Sequence, residues 1–549
     1  MSTMSETTSG SDTSNSAHAS PDVDTGAPAV SGPRDTADVI IIGAGLSGLS
    51  AGIHAQMNGY RSRIFEHHSQ PGGVAASWSR GDYLIDGGIH FSTGCHPGTK
   101  THALYEQLGI VPDVRLIEMH TYGQYVHEPS GATITVTQDL DQLEADLKAM
   151  SPHDASLVAK AIGMARGMRG IDMGEIGMAK PPELVSARDK VSELWASRTL
   201  LRHFMGAGGK RVSEVMGAAH DGRLQNFFET LFLPDVPLFM VGMILALLAD
   251  GELSFIDGGC RDFVGALERR YRDLGGEITY EATVERILVE DDRAVGVRLE
   301  DGTEHRASAV ISAADGRSTI FDMLRGTYVD DKIQKRYDTW KVFRPFIMVT
   351  FGVARTVDVE AAMTMVRLAQ PLIVGPDVID DVLIRVFDYS DKFAPPGKAV
   401  VQMEFETDWE HWRRLSDRSP DRYQAEKERL AGDVLSRLER YFPGIASDVE
   451  VTDVVTPMAI WEYTRNHNAA WEGWLMTPEQ LRTRLRRTLP GLERFYMAGQ
   501  WVVPGGGVVP VLYSGRHAVQ LLCHDDDRPW AADIESTQTR AHRREHHET

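Results

Sequence analysis

The chain has 549 residues, with 57 Lys and Arg against 78 Asp and Glu, a formal net charge of −21 at pH 7. That acid excess argues against a nucleic-acid partner, whose phosphates need cationic contacts, and against electrostatic docking on anionic lipid. A length of this order, 42% hydrophobic, is too great for one small core and predicts two intertwined domains.

Residues 1–36 are rich in Ser, Thr, Gly and Asp, with no apolar core segment and no twin arginine. They read as a disordered leader rather than a secretory signal. The first structured signal is an apolar strand, Val39 to Ile42, feeding a turn with Gly43, Gly45 and Gly48. A helix follows, with Leu46, Leu49, Ile53 and Met57 on one face and a stop at Gly59. A second strand around Ile64 and Phe65 ends on Glu66, about 20 residues on. This is the βαβ unit that grips a dinucleotide. Gly43 permits the tight turn, Gly45 admits a pyrophosphate to the backbone, and Gly48 lets helix and strand pack closely. Leu46 and Ser47 open the helix, where free N–H groups favour phosphate. Glu66 would accept ribose hydroxyls and repel a 2′-phosphate, which leaves FAD or NAD. Immediately downstream come Gly72, Gly73 and Val74, then Asp86, Gly87, Gly88, Ile89 and His90. A second glycine loop directly behind the ribose acid suits FAD, whose far half must thread between backbone segments.

The most apolar run, residues 236–249, is too short to span a bilayer. It reads as a core helix or, with Phe227, Phe228, Leu231 and Phe232 upstream, as the wall of a greasy tunnel that dips toward lipid. Phe263, Leu267, Tyr271 and Leu274 recur at helical spacing and stop at Gly275 and Gly276. A β-meander follows, with Asp301 and Gly302 as a two-residue hairpin. Farther on, β-like runs (346–353, 382–387, 399–405) precede a charged helix at 421–441. Next comes an aromatic-rich loop with Trp461, Tyr463, Trp471 and Trp474, in which Arg465 is a charge partner for Glu462 or Glu472. Gly499, Gln500, Gly505, Gly506, Gly507 and Val508 lie between a last strand and a last helix starting near Pro510. From residue 525 the chain turns polar and reads as a disordered tail. Cys95, Cys260 and Cys523 lie far apart, so a disulfide framework or a cysteine metal site is not expected, each thiol reads as a small core residue, and the default setting is a reducing cytoplasm. No closed metal-ligand set is evident, despite His67, His68 and a histidine-rich end.

Three of these blocks together resemble the phytoene desaturase, carotenoid isomerase and retinol saturase superfamily of FAD-dependent oxidoreductases, relatives of the amine oxidases. They are residues 38–91, 255–287 and 495–516. The resemblance implies an α/β fold, an FAD-binding Rossmann-type (glutathione reductase-like, amine oxidase-like) domain with an interleaved α+β substrate domain. The FAD domain is placed at residues 37–125, 251–326 and 479–524, and the substrate domain at 126–250 and 327–478. It also implies that backbone at Val284 passes over the adenine half of FAD. Gly88, Ile89 and His90 would approach the flavin ring, and Gly499, Gln500, Gly506, Gly507 and Val508 its ribityl and pyrimidine side. The last helix then aims its N-terminus at the ring and favours the anionic reduced form. Two departures stand out. Val74 replaces the arginine of many relatives, and Gln500 replaces a common acid.

His90 and Tyr463 are the candidate catalytic side chains. The implied reaction moves hydride between flavin N5 and a carbon of an apolar isoprenoid or polyene, giving desaturation, saturation or cis–trans isomerisation. An FAD-dependent amine oxidase, a sugar-nucleotide mutase and a non-catalytic prenyl-binding escort on the same scaffold remain as alternatives. A peripheral membrane contact and the oligomeric state stay open.

Overall fold

Val39, Ile40, Ile41 and Ile42 are buried on both faces, which places the first strand, Ala37–Ile42, inside a sheet and not at its edge. The computed structural model describes residues 37–175, 178–186 and 202–532. The expected leader and the chain beyond Ala532 lie outside the described residues. Ala37–Ile42 pairs in parallel with Ser62–Phe65 on one side and with Glu304–Ser312 on the other. Glu277–Thr279 and Phe495–Met497 extend the parallel sheet outward. Glu304–Ser312 is shared. Its second half lies in the parallel sheet, while its first half starts the antiparallel meander of Arg293–Leu299 and Val284–Glu290.

Side chains alternate between two cores, as the pleat requires. Val39, Ile41 and Ile64 face the helices Leu46–Met57, Gly259–Asp273 and Val508–Asp525. Ile40, Ile42 and Phe65 face the meander side, with Val284, Val297 and Leu492. Gly48 does what its motif position requires. A Cβ there would lie 1.9 Å from the Gly43 carbonyl oxygen. The meander hairpin at Asp301-Gly302 forms with a three-residue loop, not two, because Leu299 N–H reaches Thr303 O and Gly302 takes φ 86°.

A second seven-stranded sheet runs Val449–Val455, Phe346–Val353, Ala399–Glu406, Asp377–Val386, Met363–Val374, Thr121–His127, Ala132–Thr137. The helices Trp409–Arg418 and Pro420–Tyr441 cover one face, burying Trp412, Leu430, Val434 and Leu438. The other face looks into the molecule. Thr121–His127 is wholly part of this sheet, paired in parallel with Met363–Val374, so the domain boundary expected at residue 125 moves to the strand's start.

One expectation is met and another corrected. Leu238–Ala249 is the core helix expected, 12 residues long and buried from Leu238 to Leu248, with Met164 and Met168 against Gly242. Among the described residues no helix is long and apolar enough to cross a membrane. The tail expected from residue 525 is instead packed as far as Ala532. Asp526 pairs with Arg494, Trp530 stacks on His54 and Ala532 is buried, because this segment caps the first helix.

The Gly43–Gly48 approach is testable against a neutral glycine. Gly48→Ala should lower stability by more than about 2 kcal/mol in chemical denaturation, since backbone must move. Gly163→Ala has nothing within 4 Å and sits in the helix Ala155–Gly167, so it should stabilise by about 0.5–1 kcal/mol.

Candidate functional site

Ile42, Phe65 and Ser312 end three adjacent parallel strands at one edge, and the residues that follow them, Gly43, Glu66 and Ala313, line a single cavity of about 1040 Å³. Ligands of open α/β sheets bind at this carboxyl edge. The volume stands at the top of the roughly 300–1,000 Å³ common for ligand pockets, enough for a long ligand and a second one beside it. Gly45, Leu46, Ser47, Gly72, Gly73, Val74, Gly88, Ile89, His90, Val284, Gly499, Gln500, Gly506, Gly507 and Val508 all line it, as does Tyr463. Gly48 does not, in keeping with its packing role.

Backbone forms much of the floor. Gly45 bridges Gly72, and Gly72 N–H donates to Ala44 O at 2.9 Å. Gly499 N–H donates to Ser514 Oγ at 3.0 Å, its carbonyl accepts Val502 N–H at 3.2 Å, and its φ is 96°. Two helices begin at the cavity without a side-chain cap. Leu46–Met57 starts at Gly45 and makes its first internal bond from Leu49, which leaves the Leu46, Ser47 and Gly48 N–H groups without helical acceptors. Val508–Asp525 starts at Gly507. Paired uncapped N-termini on one cavity fit a dinucleotide with an anionic phosphate and an anionic far end.

Glu66 is buried at the same edge. Its Oε2 accepts Ala44 N–H at 2.5 Å and its Oε1 accepts His68 N–H at 2.8 Å. Burial raises its carboxyl above the ordinary value, although those two donors oppose the rise. The acid therefore fixes two turns while each oxygen keeps a lone pair for a ribose hydroxyl.

Beyond the glycine loops the cavity becomes apolar. Phe239, Met240, Met243, Ile244 and Leu247 of the buried helix form one wall, with Leu231 and Phe232 beside them. Phe227 and Phe228, expected to extend that wall, turn into the core against Tyr125 and each other. Met363, Met365 and Leu383 of the second sheet line the facing side, and Phe343, Phe346 and Trp471 meet edge to face beside them.

His90 stands in this wall and is held from behind. Its Nε2 is 2.9 Å from Glu404 Oε2, and Arg385 Nη1 is 3.0 Å from Glu404 Oε1. Burial would raise Glu404, but the charges of His90 and Arg385 hold it down, to about 2. Arg385 also meets Gln402, which reaches Asp86 O. Cys260 lies buried behind the same wall. Its N–H and thiol bond Asp86, and its Sγ accepts Ile89 N–H at 3.1 Å, so it is a hydrogen-bonded residue rather than plain filler. Asp257, without a reading in the sequence, accepts Ser390 Oγ–H and pairs with Lys392.

Tyr463 lies elsewhere. Residues 461–463 belong to the helix Pro457–Thr464, not to a loop, because Thr456 caps it and Pro457 opens it. The Tyr463 ring sits 3.8 Å from His68, next to the Glu66 turn, and burial pushes its hydroxyl up to about 12. That position lines the cavity beside the Glu66 turn. Arg465 pairs with neither Glu462 nor Glu472. It covers the Trp461 ring at 4.4 Å and meets His67.

Glu472, one residue past Trp471, lines the apolar compartment with no hydrogen-bond or ion-pair partner among the described residues. Burial alone pushes its carboxyl up to about 8. Asp315, at the end of the shared strand, is likewise pushed up to about 6 by burial, yet accepts Ser318 and His467 N–H.

The profile of the flavin containing amine oxidoreductases matches residues 46–523. The chain is 23% identical over 519 residues to the chloroplastic prolycopene isomerase of Arabidopsis thaliana, covering 89% of this chain and 83% of that one. It is 24% identical over 512 residues to the lycopene-forming phytoene desaturase of Pseudescherichia vulneris, covering 88% and 99%. Among solved structures, an oxidoreductase from Methanosarcina mazei superposes with TM-score 0.58 at 17% identity, covering 88% and 99%. Cyclohexylamine oxidase from Brevibacterium oxydans gives 0.57 at 16%, covering 90% and 100%.

The buried ion pair sets a pH signature. Glu404→Gln leaves the Arg385 cation without its carboxylate and should cost about 3–5 kcal/mol at neutral pH. Glu404 titrates lower in the fold than its ordinary 4.5, so its contribution is full above that value and disappears as pH falls through about 2. Denaturation of both proteins from pH 7 downward should show the gap closing only in acid.

Proposed function

The chain belongs to the flavin-containing amine oxidoreductase family and is an FAD-dependent oxidoreductase, and from that premise we propose that its substrate is an apolar isoprenoid or polyene whose carbon–carbon bonding it changes. Membership in an enzyme family removes the escort alternative. One observation carries the substrate class: the cavity runs without a break from the glycine loops and uncapped helices into a compartment walled by Phe239, Met243, Ile244, Met363 and Trp471. The relatives named prolycopene isomerase and phytoene desaturase support the same reading.

FAD, when bound, supplies hydride chemistry at its ring. The protein's part is placement and field. Glu66 takes the ribose hydroxyls, and the N-terminus of Leu46–Met57 takes the pyrophosphate. Val284 closes over the adenine half. Gly499, Gln500, Gly506 and Gly507 give backbone to the ribityl and ring end, and the N-terminus of Val508–Asp525 favours negative charge there. The apolar walls exclude water and align a long flat substrate. His90, fixed by Glu404 and Arg385, holds a ring nitrogen at the boundary between the two compartments, in place to move or hold a proton. The saturated Arg385–Glu404–His90 network keeps that wall rigid, which placement to within a fraction of an ångström requires.

An amine oxidase reading predicts a different response, so one experiment separates them. Anaerobic mixing of the purified flavoprotein with phytoene, prolycopene and a panel of amines should change the flavin absorbance or the polyene spectrum only with the polyenes. Bleaching by amines alone would overturn the substrate class. His90→Gln should slow polyene turnover by about 10²-fold or more if it handles a proton, with the flavin spectrum retained.

A further inference from the structure

Several polar groups along the cavity have no partner among the described residues, Glu406 and the Thr230 hydroxyl among them, and two stand in the apolar compartment near the flavin loop. Glu472 is one, and the Tyr122 hydroxyl, on the strand Thr121–His127, is the other. Both line the cavity, and burial, with the Glu472 side chain as a lesser contributor, raises the Tyr122 phenol. Their surroundings are hydrocarbon. Phe91 meets Tyr122 edge-on at 5.5 Å, Met363 and Met476 line the same cavity, and Trp471 precedes Glu472 in the chain. The backbone of Glu472 is pressed against Gly506, where a Cβ would come within 2.9 Å of the Glu472 carbonyl oxygen. The pair therefore stands at the flavin-loop end of the compartment.

Buried polar groups in folded proteins are nearly always hydrogen-bonded, and a donor left unmade in an apolar site is costly. A pure hydrocarbon lying here would seal both heads away from water with nothing to bond. A ligand oxygen at this point would satisfy both. We propose that the substrate carries one oxygen function, a hydroxyl or a carbonyl, and that Glu472 and Tyr122 grip it beside Gly506 while the hydrocarbon chain fills the rest of the compartment. The inference rests on the isoprenoid reading above and narrows it. Burial pushes the Glu472 carboxyl up to about 8, and a carboxylic acid in its neutral form donates a strong hydrogen bond to a ligand oxygen. Tyr122 offers a second donor that can also accept. A site built this way discriminates by leaving its own polar groups unpaired when the wrong ligand binds, which is a larger effect than one methylene can produce.

The test is a matched pair of probes, geranylgeraniol and the hydrocarbon in which hydrogen replaces its hydroxyl. Their binding to the purified flavoprotein in detergent is measured by titration calorimetry. The alcohol should bind at least about tenfold tighter. Tyr122→Phe removes one oxygen atom and nothing else, and Glu472→Leu removes the acid. In each variant the preference should shrink to about twofold while the hydrocarbon binds as before, with the flavin absorbance spectrum showing that the fold and cofactor are retained. If the hydrocarbon binds as tightly as the alcohol to the unaltered protein, or if the preference survives in Tyr122→Phe, the inference is overturned and the isoprenoid reading stands. If neither probe binds to flavin-loaded protein, both fall together.

Discussion

The structure depends on backbone approaching backbone where no side chain can intervene. The turn carrying Gly43, Gly45 and Gly48 and the nearby loop at Gly72 and Gly73 meet the segment at Gly499, from the far end of the chain, at one sheet edge. Gly48 lies on the Gly43 carbonyl, Gly45 lies on Gly72, and Gly515 of the last helix lies on the Ser47 carbonyl. These contacts bring two helix N-termini to the same cavity and leave their N–H groups unspent. A side chain at Gly48 or Gly515 would part the segments and open the phosphate site.

Around that floor the two sheets divide the work. The parallel sheet supplies turns, and the second sheet supplies a wall. A sheet has two faces, and here one is sealed by the helices Trp409–Arg418 and Pro420–Tyr441 while the other is left for ligand. The consequence is a compartment that is apolar by construction, in which every charge must be either compensated or functional. Arg385, Glu404 and His90 are compensated, and Asp315 is held by backbone N–H groups. Glu472 and the Tyr122 hydroxyl have no partner among the described residues, as is also true of Glu406, and such groups carry information about what the compartment holds.

The cofactor half was legible in the sequence because its chemistry is local. A strand, a glycine turn, a helix and a terminal acid follow one another within about 30 residues, and each has one structural meaning. The substrate half was legible only in outline. Arg385 sits opposite Gln402 in strand register, with Glu404 two residues along, so the ion pair is created by an antiparallel pairing that leaves no motif. A charge at an inward position in the buried end of Asp377–Val386 and in the buried strand Ala399–Glu406 was the available signal. Cys260 looked like filler because its partners Asp86 and Ile89 are distant in the chain. Tyr463 was misplaced because Thr456 and Pro457, a cap and a helix start, were passed over in favour of the aromatics that follow. Glu472 was visible only as a charge near tryptophans. Its isolation is a property of packing, which one-dimensional patterns do not carry.

The central claim is that one cavity holds FAD along the glycine floor and leaves the apolar compartment beyond it for substrate. A crystal structure of the flavin-loaded protein tests this most directly. The account predicts ribose hydroxyls on Glu66, the pyrophosphate at the start of Leu46–Met57, and the isoalloxazine between Gly506 and the wall that contains His90, its open face toward Met243 and Trp471. A flavin ring filling the compartment between Phe239 and Met365, or a dinucleotide bound away from Glu66, would contradict it.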